Sequence, residues 1–137
     1  MTAKENQIVL DASATAAGRV ASYASKQALL GNKVFVVNCD KAIVTGNKRS
    51  VIREFMEMRT RGGHSLNGPH YPSIPFRIIK RMVRGMVPYK QERGRMALKR
   101  VICYNDTPKE LEASKKISLV KEVRSKSIVL KELSREM

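Results

Sequence analysis

The chain has 137 residues, 42% of them hydrophobic, with 27 Lys and Arg against 12 Asp and Glu and a formal net charge of +15. That length accommodates one compact domain with a real core and is short for two. No apolar run approaches the roughly 20 residues that cross a bilayer, and the opening MTAKENQIVLDAS lacks the basic, apolar and small-residue layout of a signal peptide, so a soluble, cytoplasmic protein is expected.

In chain order, Ile8 to Leu10 is a short apolar run that predicts a strand. Ala17, Val20, Ala21, Ala24, Ala28 and Leu29 then recur at helical spacing, with Thr15 as the expected N-cap and Gly31 as the C-terminal stop. Lys33 to Val37 reads as a buried strand, followed by a brief apolar run over Ala42 to Val44. Strand, helix, strand in that order favours a parallel sheet with a right-handed crossover. From Asn47, an expected cap, Val51, Phe55 and Met58 line one helical face that ends at Gly62 and Gly63; the loop GGHSLNGPHYPSIP has no periodicity. Ser73 and Pro75 start a third helix with Phe76, Ile79, Val83 and Met86 on its apolar side. Gly94 opens a short helical piece, and Arg100 to Tyr104 reads as the last strand. Beyond Pro108 charges are mixed, and Ile117 to Leu133 predicts one broken or two short amphipathic helices. The expected organisation is an α/β domain with about four strands over residues 1–108 and an amphipathic helical tail over 109–137.

Charge is concentrated in the middle of the chain. Asn47 to Arg100 holds fourteen Lys and Arg against three acids, and the 34 residues between Glu57 and Glu92 contain no acid at all. Folded domains normally interleave both signs, so a one-signed tract that also carries core residues implies a polyanion, and nucleic acid is the obvious one. On the third helix, at about 100° per residue, Arg77, Lys80, Arg81 and Arg84 fall within one arc, while Ile78, Ile79, Met82, Val83 and Met86 occupy the opposite side. Four like charges at i, i+3 and i, i+4 repel one another unless phosphates lie between them. Lys48, Arg49, Arg53, Arg59 and Arg61 form a second cluster, in which Glu57 and Arg61 also have the spacing of an exposed helix salt bridge. The loop RGMVPYKQERGRMALKR supplies Lys90, Arg93, Arg95, Lys99 and Arg100, with glycines that let a backbone approach phosphate and Tyr89 placed to stack on a base or to pack half-buried. His64 and His70 in the Gly/Pro loop are further candidate contacts.

Other chemistries find little support. The turn DASATAAG has one glycine where a dinucleotide fingerprint needs three, and neither a P-loop nor a G-x-S-x-G motif occurs. Cys39 and Cys103 lack zinc-site spacing and are expected to be buried, reduced thiols. No catalytic residue, metal, cofactor, membrane or small-molecule substrate is expected. A nucleotide-dependent transferase on the same fold ranks behind two binding readings, a structural RNA-binding protein and a free-standing regulatory nucleic-acid binder.

Two segments, DASATAAGRVASYASKQALLGNKVFVVNCDKAIVTG and RGMVPYKQERGRMALKRVICYND, closely resemble the universal large-subunit ribosomal protein thirteen family. The first carries the Gly-Arg-aliphatic-Ala-Ser helix start at Gly18 to Ser22. The second carries the Arg-Gly-Met-aliphatic-Pro signature at Arg84 to Pro88, then Gly94, Ala97 and Leu98. The likeness spans roughly Ile8 to Pro108, and its central loop is closer to archaeal and eukaryotic members than to bacterial ones. It implies a three-layer α/β/α domain with a small four-stranded, mostly parallel sheet. It further implies a structural and assembly protein of the cytoplasmic ribosome, bound to large-subunit ribosomal RNA beside neighbouring ribosomal proteins.

Overall fold

A computed structural model describes residues 6–61 and 70–137. The first strand, β1 (Gln7–Asp11), leads into α1 (Ala17–Leu29) and returns as β2 (Lys33–Val37), which pairs with β1 in parallel. Gly31 adopts a φ of +96°, the left-handed stop expected of it. Thr15 does not cap α1: its hydroxyl donates backward to the Ser13 carbonyl at 3.1 Å, and Ala16 occupies the cap position without a side-chain bond. Next come β3 (Ile43–Thr45), α2 (Lys48–Thr60), α3 (Pro75–Met86), α4 (Glu92–Arg100) and β4 (Val101–Cys103). Asn47 caps α2 as expected, its side chain accepting the Arg49 N–H at 3.2 Å. The third helix has Pro75 at its start, but its cap comes from far along the chain, where Asn105 Oδ1 accepts the Phe76 N–H at 3.0 Å.

The main sheet has the order β4-β2-β1-β5, where β5 is Lys116–Ser118, every neighbouring pair parallel, so the α/β class and the four-stranded parallel sheet are both as expected. Its outer strand was not. Residues 117–133, expected as helix, instead provide β5 (Lys116–Ser118) beside β1, then β6 (Ser127–Val129) antiparallel to β3, before the short α5 (Leu130–Glu136). Three-residue strands carry too little periodicity to announce themselves, and pairing with a preformed edge decides their conformation. Leu130 and Leu133 are fully buried in the main core, packed with Ala42, Ile128 and the apolar faces of the other helices. That core lies on one face of the sheet against Leu10, Val34, Val36 and Val101. The other face presents Val9, Phe35 and Val37 to a lighter cover formed by Ile102, Tyr104 and Leu111, the last in a single 3-10 turn.

The carboxyl ends of β1 and β2 are tied by Asp11, whose carboxylate accepts the Ser13 N–H at 3.0 Å and Asn38 Nδ2 at 3.1 Å. Partial burial pushes its pKa up, but those bonds and the charge of Lys116 outweigh it and hold the group below the ordinary 3.8. A depressed carboxylate adds stability above its unfolded pKa and loses it as pH falls through the folded value. Asp11→Asn is therefore expected to cost about 1 kcal/mol at neutral pH. Its deficit against wild type should shrink as denaturation curves are taken below pH 3.8; a gap independent of pH would show that the charge contributes nothing.

Candidate nucleic-acid interface

Ile78, Ile79 and Val83 bury one face of α3 in the core, and this fixes where the cations on its other side point. Arg77 is exposed, while Arg81 and Arg84 are half-buried. Together with His70, Pro72, Lys80 and Leu98 they line a shallow cleft of about 280 Å³ with no acid in its walls. A second hollow of about 130 Å³ adjoins it between Arg81, Arg84, Gly85 and Tyr89. The Arg84 guanidinium lies 4.4 Å from the centre of the Tyr89 ring, and that of Arg77 lies 5.9 Å from the Phe76 ring. Stacking of this kind holds a guanidinium in place without consuming its N–H donors. Among the described residues the one ion pair is Lys48–Glu132, so the three arginines face solvent with no carboxylate to neutralise them.

Gly85 fits the same surface. It sits in an exposed helical position where an added Cβ would meet nothing within 4 Å, so the protein's own packing does not require a glycine there. A helical glycine costs roughly 0.5–1 kcal/mol against alanine. Close approach of an external backbone supplies a reason that the isolated fold does not.

Two of the expected contacts also bond the protein's own carbonyls, Lys80 while lining the cleft. The Lys80 ammonium donates to the carbonyls of Leu98 and Val101 at the C-terminal end of α4, where a cation complements the helix dipole. Burial pushes its pKa below the ordinary lysine value. Arg100 likewise turns inward, donating from Nη1 to the Ala28 carbonyl at 3.1 Å near the end of α1. Both cations hold helix ends in position. Lys80→Met is expected to cost about 2 kcal/mol through unpaired carbonyls, yet to leave the salt dependence of RNA binding unchanged. A lower salt slope with full thermal stability would restore Lys80 to the phosphate face.

The remaining candidates are spread over the surface. Lys48 pairs with Glu132 of α5, joining the start of α2 to the C-terminal helix. Arg49, Arg53, Arg59 and Arg61 are exposed along α2, and the Glu57–Arg61 bridge suggested by their spacing does not form. Lys90, Arg93, Arg95 and Lys99 are exposed on and before α4. Tyr89 is half-buried and packed against the core beneath Arg84. His64 lies outside the described residues.

Tyr71 was not singled out by the sequence. Its ring meets that of Phe55 edge-on at 5.6 Å, joining α2 to the segment before α3. Its burial raises the phenol pKa against the opposing charge of Arg81, so this bridge reaches the cleft. An aromatic four residues before the start of α3 was the signal available. Cys39 and Cys103 are both buried and free; the Cys39 thiol donates to the Val36 carbonyl at 3.7 Å, and the neighbouring Cys103 thiol together with burial raises its pKa and leaves it un-ionised. No cluster of His, Cys, Asp or Glu suited to a metal ion occurs among the described residues.

A family model described as ribosomal protein L13 matches residues 5–110 of the chain. The large ribosomal subunit protein uL13 of Methanosarcina barkeri is 39% identical over 135 residues, covering 94% of this chain and 96% of that protein. The Thermoplasma volcanium protein of the same name is 38% identical over 133 residues, with the same shares covered. That of Methanopyrus kandleri is 42% identical over 108 residues, 79% of this chain and 67% of the relative.

Proposed function

The chain belongs to the ribosomal protein L13 family, and from that premise we propose how it acts: as a structural, non-catalytic constituent of the large ribosomal subunit, it lays the Arg77–Arg81–Arg84 cleft against the phosphates of large-subunit ribosomal RNA. The observation that carries this reading is the uncompensated charge of the cleft, three arginines held on a rigid helix with no acid in its walls. Phosphate neutralisation supplies affinity, while shape and loop contacts supply placement. Arg49, Arg53, Arg59 and Arg61 on α2 and Lys90, Arg93, Arg95 and Lys99 around α4 extend the contact, and Tyr89 steadies Arg84 from below. In this reading the basic helices lie within residues 1–108, and residues 109–137 complete the fold around them and offer a surface to neighbouring ribosomal proteins.

A catalytic role has no support in the turn after β1, where residues 12–18 contain a single glycine and form no phosphate cradle. The free-standing regulatory reading gains nothing from the relatives, which are named as large-subunit proteins. No helix among the described residues is long and apolar enough to cross a membrane. A tagged chain expressed in a related archaeal cell should sediment with large subunits on a sucrose gradient and be released from them as salt is raised. Its accumulation at the top of the gradient while large subunits are plentiful would overturn the proposal.

A further inference from the structure

The basic cleft flanks the β4 edge of the sheet, since α3 and α4 both pack on β4. At the opposite edge, where β5 pairs with β1, a second basic surface is built from residues the charge-rich middle of the sequence does not include. After β5 the chain runs from Leu119 to Lys126 without regular structure and passes beside α1. Two adjoining grooves of about 490 and 390 Å³ lie between this segment and the helix, sharing Arg19, Leu119 and Lys121 in their walls. Lys26 lines the first and Arg124 the second.

These four cations are exposed, and the ion pair found among the described residues involves none of them. Glu122 is the sole acid in either wall. The groove also has an apolar floor, with Tyr23 half-buried and Val120 55% exposed. The chain leaving β5 runs beside α1, the connection that leaves β1, so both grooves open between the two segments that follow neighbouring parallel strands. Gly18, between the wall residues Ala16 and Arg19, is exposed, and an added Cβ there would meet nothing within 4 Å. The cleft on α3 contains the same arrangement at Gly85.

We propose that this groove is a second RNA-binding site, which takes a single-stranded or looped segment of ribosomal RNA. Phosphates lie against Arg19, Lys26, Lys121 and Arg124, and a base lies on Tyr23 and Val120. Four cations distributed over two joined hollows match the repeating charge of a nucleic-acid backbone, and the apolar floor between them suits a base face. The inference rests on the ribosomal RNA reading above and extends it to the other side of the molecule. The two basic surfaces line different hollows with no residue in common, so they act as separate contacts and clamp two RNA segments.

Hydroxyl-radical footprinting of purified large-subunit RNA with the full chain tests this. Wild type should protect two sets of nucleotides. The triple variant Arg19→Ala, Lys121→Ala, Arg124→Ala should lose one set, keep the set that depends on Arg77, Arg81 and Arg84, and lower the salt slope by about 2. Val120→Glu, a single exposed change, should lose the same set and guards against misfolding of the triple variant. If wild type binds the RNA and both variants keep every protection and the full slope, the second site is wrong; failure of those variants to join subunits would then identify an acidic protein segment as its occupant. Absence of saturable binding by wild type would instead bring down the reading on which this one rests.

Discussion

Replacing Arg77, Arg81 and Arg84 together by alanine is expected to weaken ribosomal RNA binding by about 150- to 2000-fold near 0.1 M salt, taking about 1 to 1.5 kcal/mol for each charge-assisted contact. The slope of log affinity against log salt should fall by about 2 to 2.7, because each phosphate released from a contact regains its counterion. The fold should survive. Arg77 is exposed, the other two are half-buried, and the buried anchors of α3 are Ile78, Ile79 and Val83. The internal losses are the contacts of Arg84 with the Tyr89 ring and of Arg77 with the Phe76 ring, about 0.5 to 1 kcal/mol each for partly exposed pairs. Filter binding across a salt series, with thermal denaturation in parallel, reads both quantities. Unchanged affinity and slope in a folded triple variant would mean that the cleft is a solvated face. Lys80→Met supplies the contrasting behaviour, with stability lost and slope retained.

Much of the scaffold was legible because long amphipathic helices repeat their signal over several turns. Ala17 to Leu29 and Pro75 to Met86 show buried positions at regular spacing, and Asn47 and Gly31 mark helix ends through local chemistry that needs no tertiary context. The C-terminal strands were illegible for the complementary reason. Lys116-Ile117-Ser118 becomes a strand because β1 has an open edge, which no window on those residues reveals. The charged sites divide in the same way. Periodicity located the face on which Arg77, Arg81 and Arg84 stand, but not that the end of α4 would lie within reach of Lys80. A trace was present: Lys80 falls about 60° from Arg77, at the margin of the apolar arc, where a long side chain reaches inward. The groove beside α1 had no trace in composition, because Arg19, Lys26, Lys121 and Arg124 are distant in sequence and meet only after β5 joins the sheet.

Gly94→Ala is expected to be the most destabilising single methyl substitution in the region. Gly94 is buried in the first turn of α4, where an added Cβ would lie 1.9 Å from the Pro88 carbonyl oxygen, 2.2 Å from its carbon and 2.8 Å from the Tyr89 nitrogen. All three neighbours are backbone atoms, so no rotamer change relieves the overlap. Either α4 moves away by more than 1 Å or the turn from Val87 to Gln91 deforms, and that turn is itself held by the Gln91 N–H bond to the same Pro88 oxygen at 3.0 Å. Overpacking of this kind costs about 3 kcal/mol or more, a fall of roughly 10 °C in midpoint for a chain of this size. The displacement also reaches the RNA surface. Tyr89 carries Arg84, and α4 carries the carbonyls that anchor Lys80, so affinity should fall along with stability. Gly85→Ala separates the two effects: with open space around it, the substitution should stabilise the free protein by about 0.5 to 1 kcal/mol while weakening RNA binding, if RNA backbone lies against that position. Calorimetry and filter binding on the two variants therefore give opposite stability changes and losses of affinity in both. A Gly94→Ala protein that melts with wild type would refute the contact between α4 and the Pro88 turn, and a Gly85→Ala protein with undiminished affinity would move the RNA backbone off the end of α3.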